Sequence, residues 1–286
     1  METARTIADV RRAVAAARGA GKRIHLVPTM GALHEGHRSL LRAARADGRL
    51  VVASIFVNPT QFGPGEDFER YPRPVEADLD ICGQDGVDVV FLPSVAEMYP
   101  PDGRTTVHVA GLTKRLCGAH RPGHFDGVTT VVLKLFNIVQ PDAAYFGQKD
   151  GQQVAVIRRM VADLDVPTEI VVCPTVRDTD GVALSSRNAY LEPDQRRRAR
   201  CLIEALRLGE AMIRDGERRP DTITRAIRAR IEATGGCTID YIEAVDLATL
   251  EPAAWIDRPC MLAGAIRIGS TRLIDNVVVD VSDGGG

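Results

Sequence analysis

Apolar positions along the first two-thirds of this chain alternate between two rhythms. Ile7, Val10, Val14 and Ala17 recur at helical spacing, and Gly19–Gly21 stop that helix. Short, nearly continuous apolar runs follow at Ile24–Val27, Leu50–Val57, Val87–Leu92, Ala143–Phe146 and Ile170–Val176. Between them, Ser39–Ala46, Val75–Gln84, Val128–Val139 and Gln152–Leu164 carry helical spacing. Strands that are apolar throughout need cover on both faces. The pattern therefore predicts an α/β domain, a doubly wound, Rossmann-like parallel sheet with helices on each side. Ligands of such sheets sit at the carboxyl ends of the strands. Beyond Val176 the rhythm changes. Residues 193–234 read as two helices, with Pro220-Asp221 near the start of the second, and Thr238–Ile242, Cys260–Ile268 and Arg272–Val281 alternate as strands. That order predicts a smaller α+β C-terminal domain with antiparallel pairing. The boundary falls in the polar stretch Arg177–Gly181, giving domains of 1–176 and 177–286, and the Gly284–Gly286 tail is expected to fray.

Composition narrows the function classes. With 286 residues, 45% hydrophobic and 26% charged, the chain reads as globular and soluble. A formal net charge of -2 argues against a nucleic-acid surface. Arg196–Arg198 lie in a helical pattern and read as a solvated face. The six cysteines (82, 117, 173, 201, 237 and 260) contain no C-x-x-C pair and read as reduced thiols. No apolar signal region opens the chain, and no run approaches the roughly 18 to 20 residues of a membrane span. A cytoplasmic location without membrane or nucleic-acid partners is expected.

Candidate chemistry gathers where predicted strands end. Val27–His37 places two histidines and two glycines between a strand and a helix, where unpaired N–H groups and the helix dipole favour anions. Gly36 removes a Cβ that would keep a phosphate from the backbone. His34 and His37 could be a metal pair, a structural pair or a phosphate clamp. No nearby Cys or His completes a metal site, and the junction favours the clamp. Phe146–Asp150 repeats the logic, with Gly147 allowing close approach and Lys149 supplying a point charge. Ser185, Ser186 and Arg187 add two hydroxyls and a guanidinium. Gln61 and the Gln152-Gln153 pair bring amides able to read hydroxyls and a carboxylate. There is no Walker A sequence, and Gly19–Gly21 precedes a strand rather than following one.

These residues also carry a resemblance. The segments VPTMGALHEGH (27–37), SIFVNPTQF (54–62), YPRP (71–74), RPGHF (121–125), LKLFNIVQPD (133–142), FGQKD (146–150), LSSRNAYL (184–191) and TRLIDN (271–276) occur in order along essentially the whole chain. Together they make it similar to the pantoate–β-alanine ligase family, within the nucleotidyltransferases marked by His-x-Gly-His. The resemblance implies ATP-dependent condensation of (R)-pantoate with β-alanine, giving pantothenate, AMP and pyrophosphate through a pantoyl adenylate, with Mg²⁺. It implies ATP contacts from Met30, Gly31, His34, His37, Gly147, Lys149, Asp150, Val176, Leu184, Ser185, Ser186 and Arg187. His37, His34, Lys149, Ser185, Ser186 and Arg187 would be catalytic, with His37 in the acid role. Pro28, Gln61 and Gln153 would hold pantoate or β-alanine, Asp78 would bind the metal, the C-terminal domain would act as a lid, and the enzyme would be a homodimer. Ala77, Gln148 and Cys117 replace acidic residues common among relatives. Another adenylyltransferase of the superfamily would share the histidines but would have no reason to keep Gln61 and Gln153. A non-catalytic nucleotide-binding module would tolerate loss of Lys149 or His37.

Overall fold

The computed structural model describes residues 1–45 and 49–281. Ala46, at the end of one expected helix, and the Gly284–Gly286 tail lie outside the described residues. The chain runs β1 (Glu2–Ala4), α1 (Ile7–Gly19), β2 (Arg23–Thr29), α2 (Glu35–Ala44), β3 (Arg49–Ile55), α3 (Val75–Gln84) and β4 (Val89–Phe91). It continues through α4 (Val95–Met98), α5 (Leu116–His120), α6 (His124–Val139), β5 (Ala143–Gly147), α7 (Gly151–Asp163) and β6 (Glu169–Cys173). These six strands form one parallel sheet in the order β1-β4-β3-β2-β5-β6. After β4 the chain returns to the far side of β2. The switch point therefore lies between β2 and β5, where such sheets bind ligands. Side chains alternate across β2: Val27 packs with Leu40, Leu41, Cys82 and Val87 from the α2–α3 side, while Ile24 and Leu26 are buried on the opposite face.

Two compact units are present. The first comprises Met1–Ala110, Arg121–Gln148 and Val156–Pro174; the second comprises Gly111–His120, Lys149–Ala155 and the chain from Thr175 onward. The second unit contains α8 (Pro193–Arg214), α9 (Pro220–Glu232) and an antiparallel meander of β7 (Thr238–Asp246), β8 (Cys260–Ile268) and β9 (Thr271–Val279). Leu202, Leu206 and Ile213 of α8 and Ile223, Ile227 and Ile231 of α9 pack against Ile242, Leu262 and Ile266 of the sheet. The β8–β9 hairpin turns through only Gly269 and Ser270, with Ile268 opposite Thr271 and Gly269 at φ 57°.

Several boundaries differ from the sequence pattern for local reasons. Helix α2 starts at Glu35, not Ser39, because His34 caps it and its first turn is polar. Helix α6 starts at His124, not Val128, after a left-handed Gly123. The apolar runs overreach at Val57, Leu92 and Val176, which continue past strands ending at Ile55, Phe91 and Cys173. Arg197 and Arg198 are exposed, while Arg196 is half-buried and its guanidinium holds Asp178 and Asp180 at 2.9 and 2.8 Å. All six cysteines are free thiols. Among the described residues no helix is long and apolar enough to cross a membrane.

Candidate active site

Between β2 and α2 the chain turns through two consecutive left-handed residues, Gly31 at φ 82° and Ala32 at φ 50°. A Cβ on Gly31 would lie 2.9 Å from Asp78 Oδ2, so both conformation and space demand glycine there. Ala32 adopts its disfavoured conformation because Asp78 holds the loop. This carboxylate is 1% exposed. Its Oδ2 accepts the Ala32 N–H at 2.8 Å and its Oδ1 the Leu33 N–H at 2.7 Å. Burial pushes the Asp78 carboxyl above its ordinary value, and the two loop N–H bonds oppose that shift. Thr29 Oγ1 accepts the Gly31 N–H at 3.1 Å and donates to the Ser54 carbonyl at 2.7 Å.

This loop delivers His34 as the N-cap of α2. His34 Nδ1 accepts the Gly36 N–H at 3.1 Å, and His37 Nδ1 accepts the His34 N–H at 3.3 Å. The result is a reciprocal capping box with ring centroids 4.1 Å apart. A ring nitrogen that accepts carries no proton, so each neutral ring bears its proton on Nε2. Both donors therefore belong to the electropositive end of a helix, as a phosphate requires.

Gln61 ends a single 3₁₀ turn, Pro59–Gln61, that Asn58 caps. Asn58, 1% exposed, accepts from Thr60 Oγ1 at 2.9 Å and Tyr99 Oη at 2.8 Å. Its Nδ2 donates to Gln61 Oε1 and to the Gly127 carbonyl, both at 3.1 Å. The Gln61 oxygen is thus engaged, and its Nε2 points at Met30 Sδ, 3.1 Å away. A thioether is a weak acceptor, so Gln61 is oriented to offer a donor to an anion or hydroxyl. The first unit therefore brings Met30 and Gln61 together. Pro28 lies on β2 opposite Ser54, and Gly147 ends the adjacent β5, where an added Cβ would meet open space.

In the second unit, the Lys149 carbonyl accepts from Asn276 Nδ2 at 2.9 Å, and Lys149 Nζ lies 3.8 Å from Asp150 Oδ2. The two neighbouring amides on α7 differ in role. Gln152 is a brace: its Oε1 accepts the Cys117 N–H at 2.9 Å, and its Nε2 donates to Leu112 and Arg115 carbonyls at 2.8 Å. Gln153 beside it is half-buried. The Leu184 N–H donates to the Val176 carbonyl at 3.0 Å, flanking the Arg177–Ala183 bridge. Ser185 then caps a 3₁₀ turn, its Oγ accepting the Arg187 N–H at 3.3 Å, and Ser186 and Arg187 open that turn. Arg177 anchors the segment by a bidentate pair to Asp275, at 2.6 and 3.0 Å.

Comparison with known proteins follows these residues. A profile described as Pantoate-beta-alanine ligase matches residues 2–278. The chain belongs to the pantoate–β-alanine ligase family. The pantothenate synthetase of Moorella thermoacetica is 59% identical over 283 residues, spanning 99% of this chain and 100% of that protein. The solved pantothenate synthetase of Thermus thermophilus has a TM-score of 0.92 at 46% identity, covering 97% of this chain and 99% of its own. A pantoate–β-alanine ligase from Francisella tularensis, complexed with beta-gamma ATP and β-alanine, has a TM-score of 0.79 at 35% identity over 97% of each chain.

Within this ligase fold, some roles escaped the sequence. RPGHF and TRLIDN mark the family, yet only the structure shows Arg121 and His124 on the Gln61 carbonyl, and Asp275 and Asn276 on Arg177 and Lys149. Their partners are up to 127 positions away. The one available signal was the presence of charged and amide side chains within otherwise apolar strand patterns.

Proposed function

We propose that this chain condenses (R)-pantoate with β-alanine at the expense of ATP, releasing AMP and pyrophosphate. The observation that carries the reading is the His34–His37 capping box, which fixes an Nε2–H donor on both rings. In the first step the pantoate carboxylate attacks the α-phosphorus and pyrophosphate leaves, giving a pantoyl adenylate. The carboxylate is already ionised at neutral pH, so the step needs alignment and charge neutralisation rather than a strong base. His34 and His37 donate to phosphate oxygens, and His37 serves the departing pyrophosphate. Lys149 and Arg187 neutralise the phosphate chain and the Ser185 and Ser186 hydroxyls donate to it, with Met30, Gly31, Gly147, Asp150, Val176 and Leu184 contacting ATP. Pro28, Gln61 and Gln153 hold pantoate. In the second step the neutral amine of β-alanine attacks the acyl carbon and displaces AMP. Residues 1–176 form the ATP- and pantoate-binding domain, and 177–286, which carry Leu184, Ser185, Ser186 and Arg187, act as a lid.

Mg²⁺, when bound, would supply charge neutralisation on the phosphates. The described residues contain no group of three or more His, Cys, Asp or Glu that could hold a metal. Asp78, with an oxygen on each of two loop N–H groups, fits a loop clip rather than a direct ligand. A cytoplasmic homodimer is part of the same proposal, and sedimentation reads the oligomeric state. The function is tested by following AMP release from ATP and pantoate, with and without β-alanine. AMP and pantothenate should form only when all three substrates are present. ADP instead of AMP, or turnover indifferent to pantoate, would sink the reading.

A further inference from the structure

The Gln61 amide is only as well placed as the peptide that carries it. Its carbonyl accepts two hydrogen bonds, from His124 Nδ1 at 2.8 Å and Arg121 Nη2 at 3.2 Å. A carbonyl only accepts and a guanidinium only donates, which fixes the His124 ring. Nδ1 carries the proton, and Nε2 accepts from Arg121 Nη1 at 3.1 Å. Arg121 is itself locked by a bidentate pair with Glu66, at 2.7 and 2.6 Å. Burial raises the Glu66 carboxyl, but the Arg121 bond and charge outweigh it and hold it below its ordinary value. Glu66 also accepts the Gly63 N–H at 3.2 Å, within the loop that follows the 3₁₀ turn. On the other side, a Cβ on Gly127 would lie 2.4 Å from the Thr60 oxygen and 2.6 Å from the Gln61 nitrogen. Helix α6 therefore meets this peptide backbone to backbone.

We propose that Arg121 and His124, backed by Glu66, are positioning residues that hold the Gln61 peptide so that its side-chain amide meets pantoate in one fixed orientation. The proposal rests on the reading that Gln61 holds pantoate. Neither residue need touch the substrate. Their contribution is preorganisation, which lowers the cost of ordering the amide at binding. It appears in the pantoate KM rather than in ATP affinity.

Two replacements separate positioning from general scaffolding. His124→Asn puts an amide nitrogen where the ring had Nδ1, so it keeps the donor to the Gln61 carbonyl. His124→Gln places its nitrogen nearer Nε2 and loses that donor. His124→Gln should raise the pantoate KM about tenfold and move the ATP KM less than about twofold, whereas His124→Asn stays within about threefold of the parent. In a Gln61→Ala background the His124→Gln effect should vanish, because the two act through one amide. Equal rises in both KM values, or a His124 effect undiminished in that background, overturn this proposal alone. A Gln61→Ala variant with an unchanged pantoate KM overturns the substrate role of Gln61 and this proposal with it. Should the His124 variants not fold, Arg121→Lys serves instead. It keeps the charge beside Glu66 but cannot bridge Glu66 and Gln61 together, and the same KM split and cycle decide.

Discussion

Histidine is a poor choice for an N-cap if capping is the only task, since Ser, Thr, Asp and Asn do it better. At His34 and His37 the cap has a second product: it dictates which ring nitrogen carries the proton. His37→Ala should slow adenylate formation at least about 100-fold, the scale of losing one preorganised donor. Single-turnover mixing with ATP and pantoate measures it, and near-parental rates would contradict the role. Asp78 makes the complementary point. Asp78→Asn leaves one acceptor for two buried loop N–H groups and should cost about 1–3 kcal/mol in urea unfolding. The magnesium concentration for half-maximal turnover should stay put, and a large increase would restore Asp78 to the metal. At this scale the sequence revealed the histidines because glycines and a strand end lie beside them. It hid the Asp78 clip because the loop it holds is 45 and 46 positions away.

One element was legible from spacing at both ends. Helix α3 occupies the expected Val75–Gln84. Helices α2 and α6 begin a turn earlier than their apolar spacing: the polar first turn of α2 is set by the His34 cap, and α6 starts directly after the left-handed Gly123, neither of which a hydrophobic pattern sees. Strand β1 escaped notice because three residues, Glu2–Ala4, are too short and too polar to declare a strand. They are ordered by pairing with β4. The Thr60–Gln61 peptide packs against the hidden part of α6. Gly127→Ala would force that helix off the Thr60–Gln61 peptide, with about 1–3 kcal/mol lost to overpacking. The pantoate KM should rise with it. Unfolding midpoints and substrate titration on the same preparation read both effects, and an unperturbed KM would show that the 3₁₀ turn can move without consequence.

For the whole molecule, the sequence predicted a parallel sheet followed by an antiparallel one. The strand order, with its switch beside β2, required the structure. One buried group on β2 also sets a pH dependence. His25 is 1% exposed and lies 2.8 Å from Tyr145 Oη. Burial first, and then the charges of Arg49 and Arg23, hold its pKa below the ordinary 6.5. The fold therefore keeps the ring neutral where the unfolded chain would protonate it. This contribution is full above about 6.5 and declines as pH falls through the lowered folded value. Urea unfolding from about pH 7 to 5 should show falling stability, and His25→Gln should flatten that decline. An equal slope in both proteins would place the pH dependence elsewhere.

The turn at Gly269-Ser270 works as a ruler. Strand side chains alternate, so Asp275 and Asn276 leave β9 on opposite faces, one fastening Arg177 and the other Lys149. Both attachments are counted from that two-residue turn. One residue inserted there and not absorbed in a longer turn would shift β9 against β8 and exchange the two faces. A protein that still folded could then lose both attachments, at Arg177 and at Lys149, through an error made at an exposed bend. The length of that hairpin is thus as much a part of those two attachments as the side chains that make them.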